Sequence, residues 1–413
     1  MNIVIIYQFF QSEDEPGHSL TYNLTQNLAL KGNKVTVVCS KIGYMKGNTA
    51  NLSFKQKLLQ KTKVGPVEVI RIWSYLGLHS SYMGRIFNYI SFSISSAIAM
   101  LLIKKPDVVL ISSPPLFCAF TTGLVCLLRR IPFVLEVRDL WPTSLIELGA
   151  IKNSLIKSVM FLMERFLYNK AYKIITLTKG IKNYLLNIKI PAEKIAFIHC
   201  GVNLTKMYPD YNAGLSVRSQ YGWGSKKKVV MYFGALGEAN NIDVIIRAAA
   251  DLKYNKDIIF VIIGDGIRRE KIIQDVANLK LENVLVLPAL PKSEGRKFLS
   301  AADVCIVTLK DLKIFEGAIP TKLIDYMACA RPVLCGVKGE AEEIIQDAKC
   351  GYVFNPNDEK QLVYFLLKIL SDNEKSIEMG TNGYNYVVKN FTIEKMQEAF
   401  ERVIKSVVIF SNY

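Results

Sequence analysis

Short β-rich runs alternate with helix-like segments twice over in this chain, and that double alternation limits its fold more than any other feature. The first series of runs falls at residues 3–7, 34–39, 67–72, 108–112, 133–137, 173–178 and 195–198. Helical segments at 19–31, 83–104, 116–129, 155–170 and 179–187 lie between most of them. The second series has runs at 229–233, 258–263, 284–287, 304–309, 332–335 and 352–354. Its helical segments fall at 241–252, 268–279, 292–300, 321–328 and 340–346. Strands joined by helices pair in parallel, and a parallel sheet needs helices on both faces. With 413 residues, the chain exceeds what one core of this kind comfortably holds. The expectation is an α/β chain with two Rossmann-like domains facing a central cleft. They occupy residues 1–205 and 206–390, and a C-terminal helix at 391–413 returns to the first. The lysine-rich segment 41–63 reads as a loop or insertion.

Charge is placed unevenly. Residues 1–205 hold 24 Lys and Arg against 10 Asp and Glu, while the remainder holds 28 against 26. A basic half can face nucleic acid, an acidic substrate or an anionic membrane surface. No RNA-binding aromatic motif, zinc finger or basic helix-turn-helix signature is present, so nucleic acid drops out as a main partner. The eight cysteines are scattered without a CxxC pair, several of them inside apolar runs, which points to reduced core thiols and a cytoplasmic setting. The N-terminus has no basic lead and runs quickly into Glu13-Asp14-Glu15, unlike a signal peptide. Two uncharged stretches raise the membrane question, 87–103 and 108–128. Ser112-Ser113-Pro114-Pro115 splits the second into a buried strand and a helix. The first, with serines at 91, 93, 95 and 96, is either a core helix or one lying in the membrane interface. The expected location is peripheral, at the inner face of the cell membrane.

In open parallel sheets, ligands bind beyond the carboxyl ends of the strands. Segment 315–328 carries Glu316 on a loop, Pro320 where a helix can begin, then Lys322 and Asp325 on that helix. A phosphate fits at such a helix start beside Lys322, with Glu316 and Asp325 accepting from hydroxyls. A capped helix with solvated charges is the competing reading. Near the first strand, Gly17 would let the backbone approach a phosphate or sugar, and His18 follows it. Neither His18 nor His79 nor His199 has metal-ligand spacing. Arg138 either neutralises a diphosphate or pairs with a carboxylate to steady its turn; Asp139, beside Trp141, can orient an acceptor hydroxyl or act as a base. Gly234, the Gly264-Asp265-Gly266 turn and the Gly339-Glu340 pair stand at further strand ends and suit tight turns with anion contact. The chain has no GxSxG elbow, Walker loop or DxD-type pair, so hydrolase, kinase and metal-dependent transfer chemistry find little support.

Taken together, these motifs resemble glycosyltransferase family 4, retaining enzymes of the two-domain GT-B fold. The likeness rests on Ser112 to Pro115, Glu136 to Pro142, Gly201-Val202-Asn203, Gly264-Asp265-Gly266, Ile319 to Ala328 and Gly339-Glu340-Ala341. Within the family it is similar to the bacterial surface-polysaccharide branch that includes N-acetylfucosamine transferases. The resemblance implies a nucleotide-sugar donor, UDP-linked, held mainly by the C-terminal domain through Gly234, Gly264, Asp265, Gly266, Lys322, Asp325, Gly339 and Glu340, with Gly17 of the N-terminal domain beside them. It implies a lipid-linked saccharide acceptor held mainly by the N-terminal domain, with His18, Asp139 and Trp141 as its contacts. Glu316, Asp139, Lys322 and Arg138 become the catalytic candidates, with no cofactor and no metal. By the same resemblance Asp325 holds the nucleotide ribose and Glu316 the donor sugar.

Two departures from the family pattern stand out. Family members usually carry two glutamates with seven residues between them, whereas Glu316 and Asp325 have eight between them and the second acid is Asp. Where many members place Arg and Lys after the Gly234 strand, this chain has Glu238, Asn240 and Asn241. Charge neutralisation then falls to Lys322 and Arg138. A sugar-nucleotide epimerase of the same architecture, or a non-catalytic protein binding sugar nucleotides or anionic polymers, are the rival readings.

Overall fold

A computed structural model of the protein describes residues 1–12, 15, 17, 20–41, 59–75 and 82–410. The chain divides into two compact units. Unit 1 comprises Met1–Ser12, the described residues of Gly17–His199 and, from Glu394, the C-terminal helix; unit 2 contains Cys200–Ile393.

Unit 1 is built on an eight-stranded sheet of β1 (Asn2–Ile6), β2 (Lys34–Ser40), β3 (Leu59–Val64), β4 (Val67–Ile72), β5 (Val108–Ser113), β6 (Phe133–Val137), β7 (Lys173–Thr176) and β8 (Ile195–Phe197). Their order across the sheet is β3-β4-β2-β1-β5-β6-β7-β8, all parallel except the β3–β4 pair. Every residue of β5 and β6 is buried, as strands covered on both faces require. Strand β3 corrects the reading of 41–63 as loop or insertion, although residues 42–58 lie outside the described ones. It is an exposed antiparallel edge carrying Lys61 and Lys63, the kind of charged strand that blunts a sheet edge and leaves no hydrophobic signal.

The connecting helices of unit 1 are α1 (Leu20–Leu30), α2 (Tyr82–Leu102), α3 (Leu116–Leu128), α4 (Thr143–Glu147), α5 (Ser154–Lys170) and α6 (Lys179–Asn187). The steps β4→β5→β6→β7 run in one direction across the sheet, so right-handed crossovers put α2, α3 and α5 side by side on one face. Helices α2 and α3 pack together, as do α3 and α5. The Arg129 guanidinium after α3 donates to the Ile103 carbonyl at 2.9 Å and to Met100 O, closing the end of α2.

Unit 2 has a six-stranded parallel sheet ordered β11-β10-β9-β12-β13-β14. Its strands are β9 (Lys228–Phe233), β10 (Ile258–Ile263), β11 (Val284–Leu287), β12 (Val304–Thr308), β13 (Val333–Gly336) and β14 (Gly351–Val353). Around it lie α7 (Tyr211–Gln220), α8 (Ile242–Asp251), α9 (Arg269–Asn278), α10 (Lys292–Ala301), α11 (Thr321–Ala328), α12 (Glu340–Ala348), α13 (Glu359–Leu370) and α14 (Asn373–Asn390). The two-residue period of a strand divides the core: Val229 and Met231 enter one apolar cluster, Val230 and Tyr232 the other. Each fully buried aliphatic side chain among them contributes about 1.5–3 kcal/mol. The final helix, α15 (Ile393–Phe410), lies along α1 of unit 1 through a Gln397 amide bond to the Asn23 carbonyl (2.9 Å) and a Lys31–Glu401 ion pair (2.6 Å).

Candidate functional site

Strands β10, β9, β12 and β13 are consecutive in the unit 2 sheet, so the loops at their carboxyl ends form one row. The first two are laced together. Gly234 N donates to the Ile263 carbonyl at 2.9 Å, Leu236 N to the Asp265 carbonyl at 2.9 Å, and Arg268 N to the Leu236 carbonyl at 3.0 Å. A Cβ on Gly264 would sit 1.9 Å from the Gly234 carbonyl oxygen, so only glycine allows this approach. At Gly266, a Cβ would meet Leu236 O at 2.5 Å. The Asp265 carboxylate accepts from Gly266 N at 2.7 Å, which holds the turn. After β12, the Thr308 hydroxyl donates to the Asn240 carbonyl and Lys310 N to the Ala239 carbonyl, bringing in the third loop.

Lys322 sits in the first turn of α11, just after Pro320, whose extended backbone precedes the helix. Its ammonium reaches the Gly234 loop. There it donates to the Tyr232 hydroxyl and, at 2.8 Å, to Asn240 Oδ1, and it lies 4.2 Å from the centre of the Tyr232 ring. A Cβ on Gly234 would stand 3.0 Å from Lys322 Cε. Burial without a carboxylate pulls the Lys322 amine down to about 7. An amine so placed gains charge readily when an anion arrives. One turn further on, Asp325 is buried, and both its oxygens accept from Lys292 Nζ at 2.8 Å. The Tyr326 hydroxyl accepts from Phe233 N (2.8 Å) and donates to Phe233 O (3.0 Å), pinning α11 to β9.

Glu316 is exposed on a short 3-10 turn, Lys313–Gly317, between β12 and α11. The loop after β13 supports it: Gly339 has φ +73°, and a Cβ there would lie 2.2 Å from the Glu316 carbonyl oxygen. Gly339 N donates to the Glu342 carboxylate at 3.3 Å, opening α12 with the buried Glu340. Unit 2 thus brings Gly234, Gly264, Asp265, Gly266 and Lys322 into one constellation, with Glu316, Gly339 and Glu340 on the adjoining loops. Tyr232 and, through Asp325, Lys292 also belong to it and escaped the sequence reading, while Asn240 entered that reading only as a departure from the family's basic pattern. They meet their partners across 33 to 90 positions of chain, a separation without sequence signal.

Another cationic group flanks the row. Glu238 accepts from Arg268 and from Lys310, each at 3.4 Å, and Arg268 also forks onto Asp243 at 2.7 and 2.9 Å. Two basic residues therefore reach the loop that itself carries Glu238 and two asparagines.

In unit 1, Arg138 is engaged locally. Its Nε lies 3.0 Å from the buried Glu136 carboxylate, Nη2 donates to Thr21 Oγ1 at 2.7 Å, and the guanidinium covers the Tyr7 ring at 4.3 Å. Ser112 Oγ donates to the same Glu136 carboxylate. Asp139 accepts from Ser144 Oγ at 3.0 Å; burial raises its pKa above the ordinary carboxylate value, and the Ser144 bond opposes that rise. Trp141 is buried, edge-on to Tyr89 with centroids 5.4 Å apart. Gly17 lies against Gln11, and His18 is outside the described residues.

Two family models match the chain. One described as Glycosyltransferase Family 4 covers residues 18–206, and one described as Glycosyl transferases group 1 covers residues 216–386. The probable glycosyltransferase WbjE of Pseudomonas aeruginosa is 24% identical over 258 residues, 62% of this chain and 64% of that protein. The putative colanic acid biosynthesis glycosyl transferase WcaI of Escherichia coli (strain K12) is 22% identical over 332 residues, 79% of this chain and 81% of that protein. This chain therefore spans just under two-thirds of the length of the first relative. Among solved structures, a sucrose-phosphate synthase from Thermosynechococcus elongatus aligns with a TM-score of 0.77 at 17% identity over 100% of both chains. Anabaena Alr3699/HepE in complex with UDP-glucose aligns at 0.73 and 16% identity, over 98% of this chain and 100% of that one. At these identities the likeness is one of fold, two Rossmann-like domains in succession.

Proposed function

The chain belongs to the two-domain GT-B glycosyltransferases, and from that premise we propose that it is a retaining transferase working on a UDP-linked sugar. Its acceptor is a lipid-linked saccharide in bacterial O-antigen or capsule synthesis, met at the inner face of the membrane. An N-acetylated amino sugar such as N-acetylfucosamine is the first donor sugar to try. The observation that carries this reading is the half-buried Lys322 amine beside the glycine-laced strand ends of unit 2, without a carboxylate among its bonds. The UDP-glucose bound by the Anabaena neighbour supports the donor class, and the colanic acid role in the name of the Escherichia coli relative supports polysaccharide synthesis.

In the proposed reaction, the bond between the anomeric carbon and the diphosphate oxygen breaks, and its electron pair leaves with the diphosphate. The acceptor hydroxyl oxygen bonds to that carbon on the same face, and its proton passes to the departing phosphate oxygen. Lys322 offsets the charge growing on the diphosphate, a preorganised electrostatic role. Glu316 contacts the donor sugar, supported from behind by Gly339. A ribose held by Asp325 would share that carboxylate with Lys292. Because Arg138 is matched by Glu136, and Arg268 and Lys310 by Glu238 and Asp243, the diphosphate falls to Lys322.

The test is a thermal-shift panel of nucleoside diphosphates and nucleotide sugars in EDTA, followed by product analysis by NMR. A ligand at ~100 times its dissociation constant adds about 2.7 kcal/mol of stability. Stabilisation by uridine nucleotides and a new glycosidic bond with the donor's anomeric configuration are expected. An altered free sugar without a glycoside would establish the epimerase instead.

A further inference from the structure

We propose that the outward face of the α2–α3–α5 layer in unit 1 is a membrane-insertion surface that lays the protein onto an anionic phospholipid bilayer. It supplies a contact surface for the membrane location proposed above, and for its biological setting rests on that reading.

Helix α2 carries apolar side chains on its outward face as well as its inward one. Met83, Phe87, Ile90, Ile94, Ile98 and Leu101 recur at helical spacing, and all six are exposed, Phe87 by 53% and Ile94 by 56%. The side facing the protein mixes polar Asn88, Ser93 and Ser96 with apolar Phe92, Ala99 and Met100, all buried. An ordinary surface helix turns a polar face outward. The stripe is not isolated. Leu124, Leu127 and Leu128 of neighbouring α3 are exposed, and so are Leu155, Ile156, Val159 and Leu162 of α5. An apolar surface of this extent marks an interaction site.

Charge identifies the occupant. No Asp or Glu occurs in residues 82–106, 116–135 or 148–163. Arg85, Lys104, Lys105, Arg130, Lys152 and Lys157 lie within or beside the three helices. An apolar face bordered mainly by cations complements a bilayer with anionic headgroups. Two copies of this face brought together would oppose like charges, which disfavours a self-dimer.

The helix lies along the bilayer and does not cross it. At 21 residues, about 32 Å, it is long enough to span. However, Asn88 accepts from Gln8 Nε2 at 2.7 Å and donates to Tyr75 O at 2.6 Å, and Ser93 Oγ donates to Phe117 O at 2.9 Å. A spanning α2 would leave those buried groups without partners in hydrocarbon. In the interface plane it keeps them while its outer stripe enters the acyl boundary.

Flotation of the purified full chain with phosphatidylethanolamine–phosphatidylglycerol vesicles tests this, with phosphatidylcholine vesicles as comparison. Recovery with the anionic vesicles should persist largely at 0.5 M salt, because screening to a Debye length of about 4 Å removes long-range attraction and leaves apolar insertion. Ile94→Glu with Ile98→Glu should lower vesicle partition at least tenfold, with melting temperature and UDP stabilisation unchanged. If that pair unfolds the chain, Ile94→Ser with Ile98→Ser carries the same test at positions already solvent-exposed. Three outcomes overturn the proposal: no flotation, flotation abolished by salt and indifferent to these substitutions, or a salt-resistant dimer dissolved by them while vesicles capture neither form. Because the assay contains neither donor nor acceptor, its failure leaves the sugar-transfer reading standing, and failure of the nucleotide panel leaves this one standing.

Discussion

If Lys322 meets the donor diphosphate, nucleotide binding must take up a proton above neutral pH. In the free protein, burial holds this amine at about 7 against an ordinary 10.5. Between those values the unfolded chain carries the proton and the folded chain does not, so this residue's contribution to stability rises with pH across that window. A diphosphate beside Nζ favours the ammonium and moves its pKa back up. Where the bound amine stays charged at pH 8.5, binding takes up close to one proton, and affinity falls about tenfold per pH unit above the free value of about 7. Titration calorimetry with UDP at pH 8.5, in two buffers of different ionisation enthalpy, reads this directly. The terminal phosphate of UDP has shed its protons well below that pH, so its own titration does not intrude. Lys322→Met should abolish the buffer dependence and weaken binding about 10- to 100-fold, the loss of one charge-assisted contact worth about 1.5–3 kcal/mol. At pH 6, where the free amine is already charged, the uptake that wild type shows over Lys322→Met should nearly vanish. Equal enthalpies in both buffers at pH 8.5, together with unweakened UDP binding by Lys322→Met, would refute the placement of this amine on the diphosphate.

Glu316→Gln should cut kcat at least tenfold with UDP affinity retained, while Gly339→Ala, at φ +73° and 2.2 Å from the Glu316 carbonyl, should lower both turnover and melting temperature. Steady-state kinetics and thermal melts of the two variants check the pair; normal turnover in Glu316→Gln removes that carboxylate from the reaction. Lys292→Met leaves the buried Asp325 carboxylate without its paired cation and should cost about 3 kcal/mol of unit 2 stability in denaturant unfolding. The buried Glu164, held by the Tyr168 (2.9 Å) and Tyr184 (3.2 Å) hydroxyls, has its pKa raised by burial to about 7, with the two hydrogen bonds opposing the rise. Its folded value exceeds its unfolded one, so its contribution is full below about 4.5 and is lost as pH rises through about 7, roughly 3 kcal/mol in all. Unfolding of Glu164→Gln followed from pH 5 to 8 should show that slope gone; an unchanged slope would mean the carboxyl titrates normally.

What could be read from the sequence was what one element states by itself. Strands such as β5, apolar end to end and closed by Ser113-Pro114, announce a doubly covered parallel sheet because burial on both faces demands an unbroken run. Strand β3 carries no such mark, since an edge strand that pairs on one side and shows Lys61 and Lys63 to water has no apolar pattern to detect. The candidate site divides along the same line. Glycines at strand ends are visible as residue types, yet the reason Gly264 must be glycine is the Gly234 carbonyl, thirty positions away and brought close only by the β9–β10 pairing. Lys322 is likewise visible, but its lowered pKa belongs to the Tyr232 and Asn240 enclosure that folding builds around it. Helix α2 shows the sharpest limit. Its sequence leaves open a core helix or one in the membrane interface; only packing reveals that Asn88, Ser93 and Ser96 face inward with Phe92 and Met100 while Ile90, Ile94 and Ile98 face out. Hydrophobic periodicity identifies the two faces of a helix but not which one the protein keeps for itself. Here the polar groups share that choice with Phe92 and Met100, because a buried amide with two satisfied hydrogen bonds holds its side of the helix inward as an apolar side chain does.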